Sequence, residues 1–311
     1  MENYEYVFRC RNIVKKYGNQ RALDGLTMNV RKGDIYGFVG ENGSGKTTII
    51  RIITGLIYQN EGEFDLLGAK SSNQKDIINA RKNIGAIVET PSIYQGMTLK
   101  DNMQLQGLIA NNNNPEKIKE VLELVGLYSI YDSKKKVANY SLGMRQRLGI
   151  AMALLKEPKF IILDEPMNGL DPEGVVSMRN LILDLNHRVG ITFLISSHIL
   201  SELGLIANSY GIISRGRMIK EVTKKEIEQE LKHQTIVEVN DVKKAFSLLE
   251  ANYDLTISEN KLVIEGEVVK KDLFKILVDN DIEIIDFQEN HGDIEKYYLS
   301  TIRGAHNENS I

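Results

Sequence analysis

The apolar and polar positions of this chain change texture twice. From the start to about residue 95, short apolar runs alternate with turn clusters. Tyr6 to Tyr17 reads as an extended segment with partial alternation, Val7 and Phe8 standing against Arg9 and Arg11. Strands follow at Thr27 to Val30 and Asp34 to Val39, separated by the turn Arg31-Lys32-Gly33, and at Gly62 to Leu67, closed by Gly68. Asp76 to Arg81 predicts a short helix, and Ile84 to Glu89 a strand stopped by Pro91.

The block from about 95 to 155 reads as all-helical. Thr98 to Ala110 is helical, with Thr98 and Asp101 in a capping-box arrangement. Asn111 to Asn114 is a polar loop, Pro115 opens a helix to Val125, and Ser141 opens another to about Lys156. The α/β pattern then resumes: strand Phe160 to Leu163, helix Pro172 to His187, strand Ile191 to Ser196, helix Ile199 to Ala207, and a hairpin from Gly211 to Glu221 turning at Arg215-Gly216.

After residue 222 the order reads β-α-β-β-α-β. It comprises Thr235 to Val239, a helix capped by Asn240 or Asp241 that runs to Glu250, Leu255 to Ser258, Leu262 to Glu265, helix Val268 to Val278, and Ile282 to Phe287. The hairpin in the middle turns at Glu259-Asn260. This is the ferredoxin-like order. A last amphipathic helix is expected over Gly292 to Ile302, and a disordered polar tail from Arg303 to Ile311. Two domains result, 1–221 and 222–311, the first interrupted by the helical block.

With 311 residues the chain can bury a full core. A net charge of −3 gives no electrostatic reason to bind nucleic acid. A single cysteine, Cys10, excludes an internal disulfide and suits a reducing cytosol. The acidic start Met1-Glu2-Asn3-Tyr4-Glu5 does not read as a signal peptide. No stretch approaches the roughly 18 apolar residues of a membrane span, so any span belongs to another chain.

Chemistry enters at Gly40-Glu41-Asn42-Gly43-Ser44-Gly45-Lys46-Thr47-Thr48, which fits G-x-x-x-x-G-K-[ST]. It lies between the strand ending at Val39 and a helix over Thr47 to Leu56, the context such a loop needs. Glycines let the backbone approach a phosphate. Successive N–H groups and the helix N-terminus make an anion cradle. Lys46 is expected on the β/γ-phosphates and the Thr47 hydroxyl on Mg²⁺. A glycine-rich turn without a ligand is the plainer alternative, and the strand–helix context weighs against it.

Phe160 to Leu163 is a buried-type run ending in Asp164-Glu165-Pro166. Ligands of open α/β sheets bind at carboxyl ends of strands. Neighbours on a strand face opposite ways, which gives the two acids different tasks: Asp164 toward Mg²⁺, Glu165 toward the water that attacks the γ-phosphate. Ser141-Leu142-Gly143 opens a helix whose N-terminus suits an anion; taken alone, it is also what an ordinary serine cap looks like.

These residues, in order, resemble the ATP-binding subunits of ABC transporters over about residues 5 to 220. Tyr17 corresponds to the aromatic that stacks on adenine, Gly40 to Thr48 to Walker A, and Asp164-Glu165 to Walker B with the catalytic glutamate. Ser141 to Arg147 corresponds to the signature, Ser141 and Gly143 keeping its serine and second glycine. Gly169-Leu170-Asp171-Pro172 corresponds to the D-loop and His198 to the switch histidine. A lone histidine is more often merely solvated; the position after a core strand favours the switch role. The resemblance implies an α/β fold, a P-loop ATP-binding domain in which the helical block at about 95–155 is a subdomain; the small α+β domain at 222–311 lies beyond it and rests on its own strand and helix pattern. It also implies a homodimer in which each ATP lies between Walker A of one chain and the signature of the other.

Two departures stand out. Tyr140, Leu142 and Met144 replace the signature's Leu, first Gly and Gln. Glu89 stands where the family has a glutamine, in Ile87-Val88-Glu89-Thr90-Pro91. This is similar to the variant of the lantibiotic-immunity and bacitracin-resistance branch. A carboxylate can ligate Mg²⁺ but donates no hydrogen bond. Neutral exchange of Gln and Glu is the plainer alternative. The resemblance implies an ATPase that binds ATP and Mg²⁺, peripheral on the cytoplasmic face of the membrane, and powers export or membrane clearance of a peptide antibiotic through a separate permease. The alternative is a soluble ABC-type ATPase of assembly or translation. The lack of a basic surface and of a second ATP-binding domain argues against it.

Overall fold

The structure, a computed structural model, describes residues 5–230, 234–258, 261–266, 268–290, 297–298 and 301. Two compact units divide the chain, 1–221 and 222–311. In the first unit β1 (Tyr6–Tyr17), β2 (Gln20–Arg31) and β3 (Ile35–Val39) lead into α1 (Lys46–Thr54). Then come β4 (Glu61–Leu66), β5 (Ala69–Lys70), α2 (Gln74–Arg81) and β6 (Ile84–Ile87). The helical block holds α3 (Leu99–Ile109), α4 (Pro115–Leu124) and α5 (Leu142–Leu154). It is followed by β7 (Phe160–Asp164), α6 (Pro172–Val189), β8 (Thr192–Ser197), α7 (Leu200–Gly204), β9 (Ser209–Ser214) and β10 (Arg217–Thr223).

Six strands form one sheet in the order β10-β9-β3-β8-β7-β6. From β9 to β6 all neighbours are parallel. Every residue of β3, β7 and β8 is buried, which is why their sequences are continuous apolar runs rather than alternating ones. The second sheet, β2-β1-β4-β5, is antiparallel.

Helix α1 lies in the core the two sheets share. Its Ile49, Ile50, Ile52 and Ile53 are fully buried among Phe8, Leu26 and Met28 of one sheet and Phe38, Ile162 and Leu194 of the other. Burying one isoleucine contributes roughly 1.5–3 kcal/mol. Four of them clamp the helix and the loop that opens it. The same core encloses Cys10, whose thiol lies 3.6 Å from Leu26 O. Burial pushes that thiol far above its ordinary pKa. Glu221 of β10 ties strands together: it accepts from the Asn29 backbone and side chain at 2.7 and 2.8 Å and from the Tyr36 hydroxyl at 2.7 Å.

Sequence and structure part in a few places. β2 begins at Gln20 rather than Thr27, because its first half follows β1 through register shifts that hide the alternation. β6 stops at Ile87, since Glu89 turns the backbone to φ 63 before Pro91. The helix expected over Ile199 to Ala207 is confined to Leu200–Gly204. α6 continues to Val189, ended by Gly190 at φ 78. The capping box of Thr98 and Asp101 is present.

The second unit holds α8 (Lys224–Glu230), β11 (Gln234–Val239), α9 (Val242–Leu249), β12 (Asp254–Ser258), β13 (Lys261–Glu265), α10 (Lys270–Asp279) and β14 (Ile284–Asn290). Its antiparallel sheet runs β12-β13-β11-β14, the ferredoxin-like arrangement. Val237, Ala245, Leu249, Leu262, Ile264 and Leu273 make its core. Of the helix expected over Gly292 to Ile302, Tyr297, Tyr298 and Thr301 are helical. The rest of it, the Glu259-Asn260 turn and the tail from Arg303 lie outside the described residues. No helix among the described residues is long and apolar enough to cross a membrane.

Candidate active site

The site is built where β3, β8 and β7 end side by side. Phe38 is level with Ser196, and Ser196 with Asp164. From β3 the chain turns through Gly40 to Gly45 and enters α1 at Lys46. Gly45, at φ 112, caps the helix in a conformation a side chain would strain, and a Cβ there would lie 2.7 Å from Ala22 O. At Gly40 a Cβ would lie 2.4 Å from Ile213 O. The loop is therefore pressed against β2 and β9, with Gly216 N donating to Ser44 O at 2.8 Å. Asn42 and Gly43 stand exposed at its tip, and Thr48 is half-buried in the first turn of α1.

Two polar groups in the loop point to a phosphate. The Ser44 hydroxyl is buried without a hydrogen-bond partner. Such an orphan is unusual in a folded protein, and a phosphate oxygen satisfies it. Lys46, 6% exposed, donates to Gly40 O at 2.6 Å and Glu41 O at 3.2 Å. Its Nζ is 3.7 Å from Glu165 Oε1. Burial pulls the ammonium below the ordinary lysine pKa, opposed by Glu165 and Asp164.

Asp164 is held at both oxygens. Thr47 Oγ1 donates to Oδ2 at 3.0 Å and Ser196 Oγ to Oδ1 at 2.5 Å. Thr47 and Asp164 together offer two hard oxygen ligands. That set suits Mg²⁺, which keeps several waters and takes further oxygens from phosphates. Glu165 has φ 50, the left-handed region that a residue with a Cβ seldom occupies. Its N–H donates to Ser196 O and Ser196 Oγ, both at 3.1 Å. Its Oε2 accepts from His198 Nδ1 at 2.8 Å. One carboxylate thus meets the loop lysine and the histidine, while its neighbour meets the loop threonine. Ser196, which holds both acids, carries no motif. The signal for it was positional: a polar residue ending a buried parallel strand, where ligands gather.

Three expected site regions lie apart from this cluster. Ser141 and Gly143 line a recess with Arg147, Leu170, Asp171 and Met178. There Ser141 Oγ accepts from Met144 N at 3.2 Å, an N-cap bond. Tyr17 ends β1, 48% exposed, with Lys15 Nζ 5.3 Å from its ring centre. Glu89 is joined to Arg51 of α1 rather than to Thr47 or Asp164.

Comparison with known proteins agrees with this geometry. Residues 23–168 match the ABC transporter family. The bacitracin transport ATP-binding protein BcrA of Bacillus licheniformis is 37% identical over 308 residues, 96% of this chain and 98% of that protein. The lantibiotic transport ATP-binding protein SrtF of Streptococcus pyogenes is 39% identical over 215 residues, 69% and 90% of the two chains. Among solved structures, the fold is similar to cbiO1 of Clostridium perfringens, part of the ABC transporter complex cbiONQ. The TM-score is 0.65 at 25% identity, covering 80% of this chain and 97% of that one.

Proposed function

This chain belongs to the ABC transporter family as an ATP-binding subunit, and from that premise we propose that it powers export, or clearance from the membrane, of a peptide antibiotic of the bacitracin or lantibiotic kind through a separate permease chain. The cargo class is supported by the names of its two transport relatives. Those names also favour the transporter over a soluble assembly ATPase. The observation that carries the enzymatic part is the convergence of Lys46, Glu165 and His198 beside Thr47 and Asp164 at the carboxyl ends of the central strands.

In this reading Lys46 and the N–H groups of Gly43 to Thr48 bind the β- and γ-phosphates, Asn42 flanks them, and Tyr17 stacks on adenine. Thr47 and Asp164 hold Mg²⁺, joined by Glu89. When bound there, Mg²⁺ would supply positive charge against the phosphate oxygens. Glu165 takes the proton of the attacking water as the water oxygen bonds the γ-phosphorus and the bond to the ADP oxygen breaks. His198, hydrogen-bonded to Glu165 Oε2, holds the base in place. Ser141 uses its oxygen to cap its own helix, which leaves its O–H free to donate. With Gly143 it faces the γ-phosphate of a second copy, and closure of the two chains excludes water. The chain sits peripherally on the cytoplasmic face. Residues 1–221 form the ATP-binding domain, with its helical subdomain, and 222–311 an accessory domain.

Glu165→Gln tests the reading. Turnover falls by about 10²–10⁴ while ATP binding persists. A tagged copy drawn from detergent-solubilised native membranes brings down a polytopic membrane protein in about equal amount. Unchanged turnover removes the base assignment, and recovery of soluble partners alone removes the permease.

A further inference from the structure

Glu89 and Arg51 form a contact that the fold does not require. Arg51 Nη2 and Glu89 Oε1 are 2.5 Å apart, and the side chains are 39% and 62% exposed. Glu89 reaches it from a left-handed backbone, φ 63, two residues past the last residue of β6. That conformation is uncommon for a residue with a Cβ.

The surroundings of the pair give it meaning. Ile87 of β6 is level with Leu163 of β7. Glu89 therefore comes one strand over from Asp164 and one residue further on, strands being about 4.8 Å apart. Arg51 follows Thr47 by four residues on α1, so it lies one turn along the same helix face. Two possible cations can claim that carboxylate. One is the fixed guanidinium of Arg51. The other is the divalent ion that Thr47 and Asp164 suit.

We propose that Arg51 is a positioning residue that latches Glu89 away from the metal, so that Arg51 and the nucleotide-bound divalent cation compete for one carboxylate. This rests on the reading of Glu89 as a metal ligand. The chemistry follows from the oxygens involved. A carboxylate accepts charge-assisted hydrogen bonds from a guanidinium, and the same oxygens are hard ligands for Mg²⁺. A glutamine amide oxygen accepts from Arg51 without the charge assistance a carboxylate has, so the latch is strongest with glutamate at this position. The exposure of the pair sets its strength. A solvent-exposed ion pair is weak and screened by salt, so the ion can displace Arg51, and Arg51 can recover Glu89 when the ion leaves. While Glu89 is latched, the fraction of chains ready for the metal is reduced, and apparent metal affinity falls by that fraction.

The experiment measures metal binding without turnover. Free Mn²⁺ is followed by electron paramagnetic resonance in the presence of the full chain and a saturating non-hydrolysable ATP analogue. Arg51→Gln tightens Mn²⁺ binding by about two- to fivefold, the range an exposed pair allows. Arg51→Lys, which keeps a charge but not the planar fork, falls between the two, and it serves should the glutamine variant fold poorly. Glu89→Gln weakens Mn²⁺ binding, and in that background R51Q has little further effect. Equal tightening by R51Q with and without E89Q reports only the loss of a nearby positive charge, and it overturns the latch. So does an R51Q affinity unchanged from the parent while E89Q weakens binding, an outcome that leaves Glu89 a ligand. If E89Q itself leaves Mn²⁺ affinity unchanged, Glu89 is no ligand, and both the latch and the reading beneath it fall.

Discussion

Glu165 keeps a strained backbone because three groups determine its place: Ser196 at its N–H, His198 at Oε2 and Lys46 near Oε1. Strain of this kind persists only where the surroundings over-determine it. Most of the site was legible from the chain, because Lys46, Thr47, Asp164, Glu165 and His198 sit in motifs whose spacing states their chemistry. Ser196 and Arg51 were not. Each acts by touching a residue distant in sequence, and a serine at a strand end or an arginine in a helix is common without any such contact. Ser196 is the better test, being fully buried. Ser196→Ala leaves a buried carboxylate oxygen without its donor, a loss of about 1–3 kcal/mol. The urea midpoint is expected to fall, and Ser196→Thr to restore part of it. An unchanged midpoint for the alanine variant means that the short bond to Asp164 contributes no net stability.

The turn between β3 and α1 shows how an element fixes a site. Its position is decided by the isoleucines of α1, buried between two sheets, and by the backbone of Ile213 behind Gly40. Gly40→Ala forces a methyl group toward that carbonyl and toward Ser44 Oγ, which would lie 2.7 Å away. The Ser44 hydroxyl can rotate aside, but the Ile213 carbonyl belongs to the backbone, so the loop itself must move. Overpacking of this sort costs about 1–3 kcal/mol, and nucleotide affinity is expected to drop with it. Thermal unfolding and titration with a fluorescent ATP analogue measure the two effects. Affinity at the parent value would show that the loop adapts. Elements buried on both faces, β3, β7 and β8, were plain in the sequence. The start of β2 and the end of β6 were not, since bulged pairing in one and a left-handed glutamate in the other break the period that marks a strand.

At the scale of the whole molecule, the β-α-β-β-α-β reading of the second unit is matched by its sheet order, because the two helices and four strands of that motif, α9, α10 and β11 to β14, carry short, well-punctuated patterns. The two-sheet core of the first unit was less visible. Nothing in the sequence of β1 says that it pairs with β2 on one side and β4 on the other. That core has a use beyond stability. The chain has one sulfhydryl, Cys10, and it is sealed beneath the sheets with its reactivity suppressed. A thiol-specific dye can mark it only when the core opens. The chain therefore carries its own clock for breathing of the ATP-binding unit, with no engineered label. Colour development is expected to be slow in buffer and fast in urea. With ATP at a hundred times its Kd, it is expected to slow by about a hundredfold, since the nucleotide holds only the closed state. Rapid marking that ATP leaves untouched would mean that β1 peels away while the nucleotide pocket stays whole.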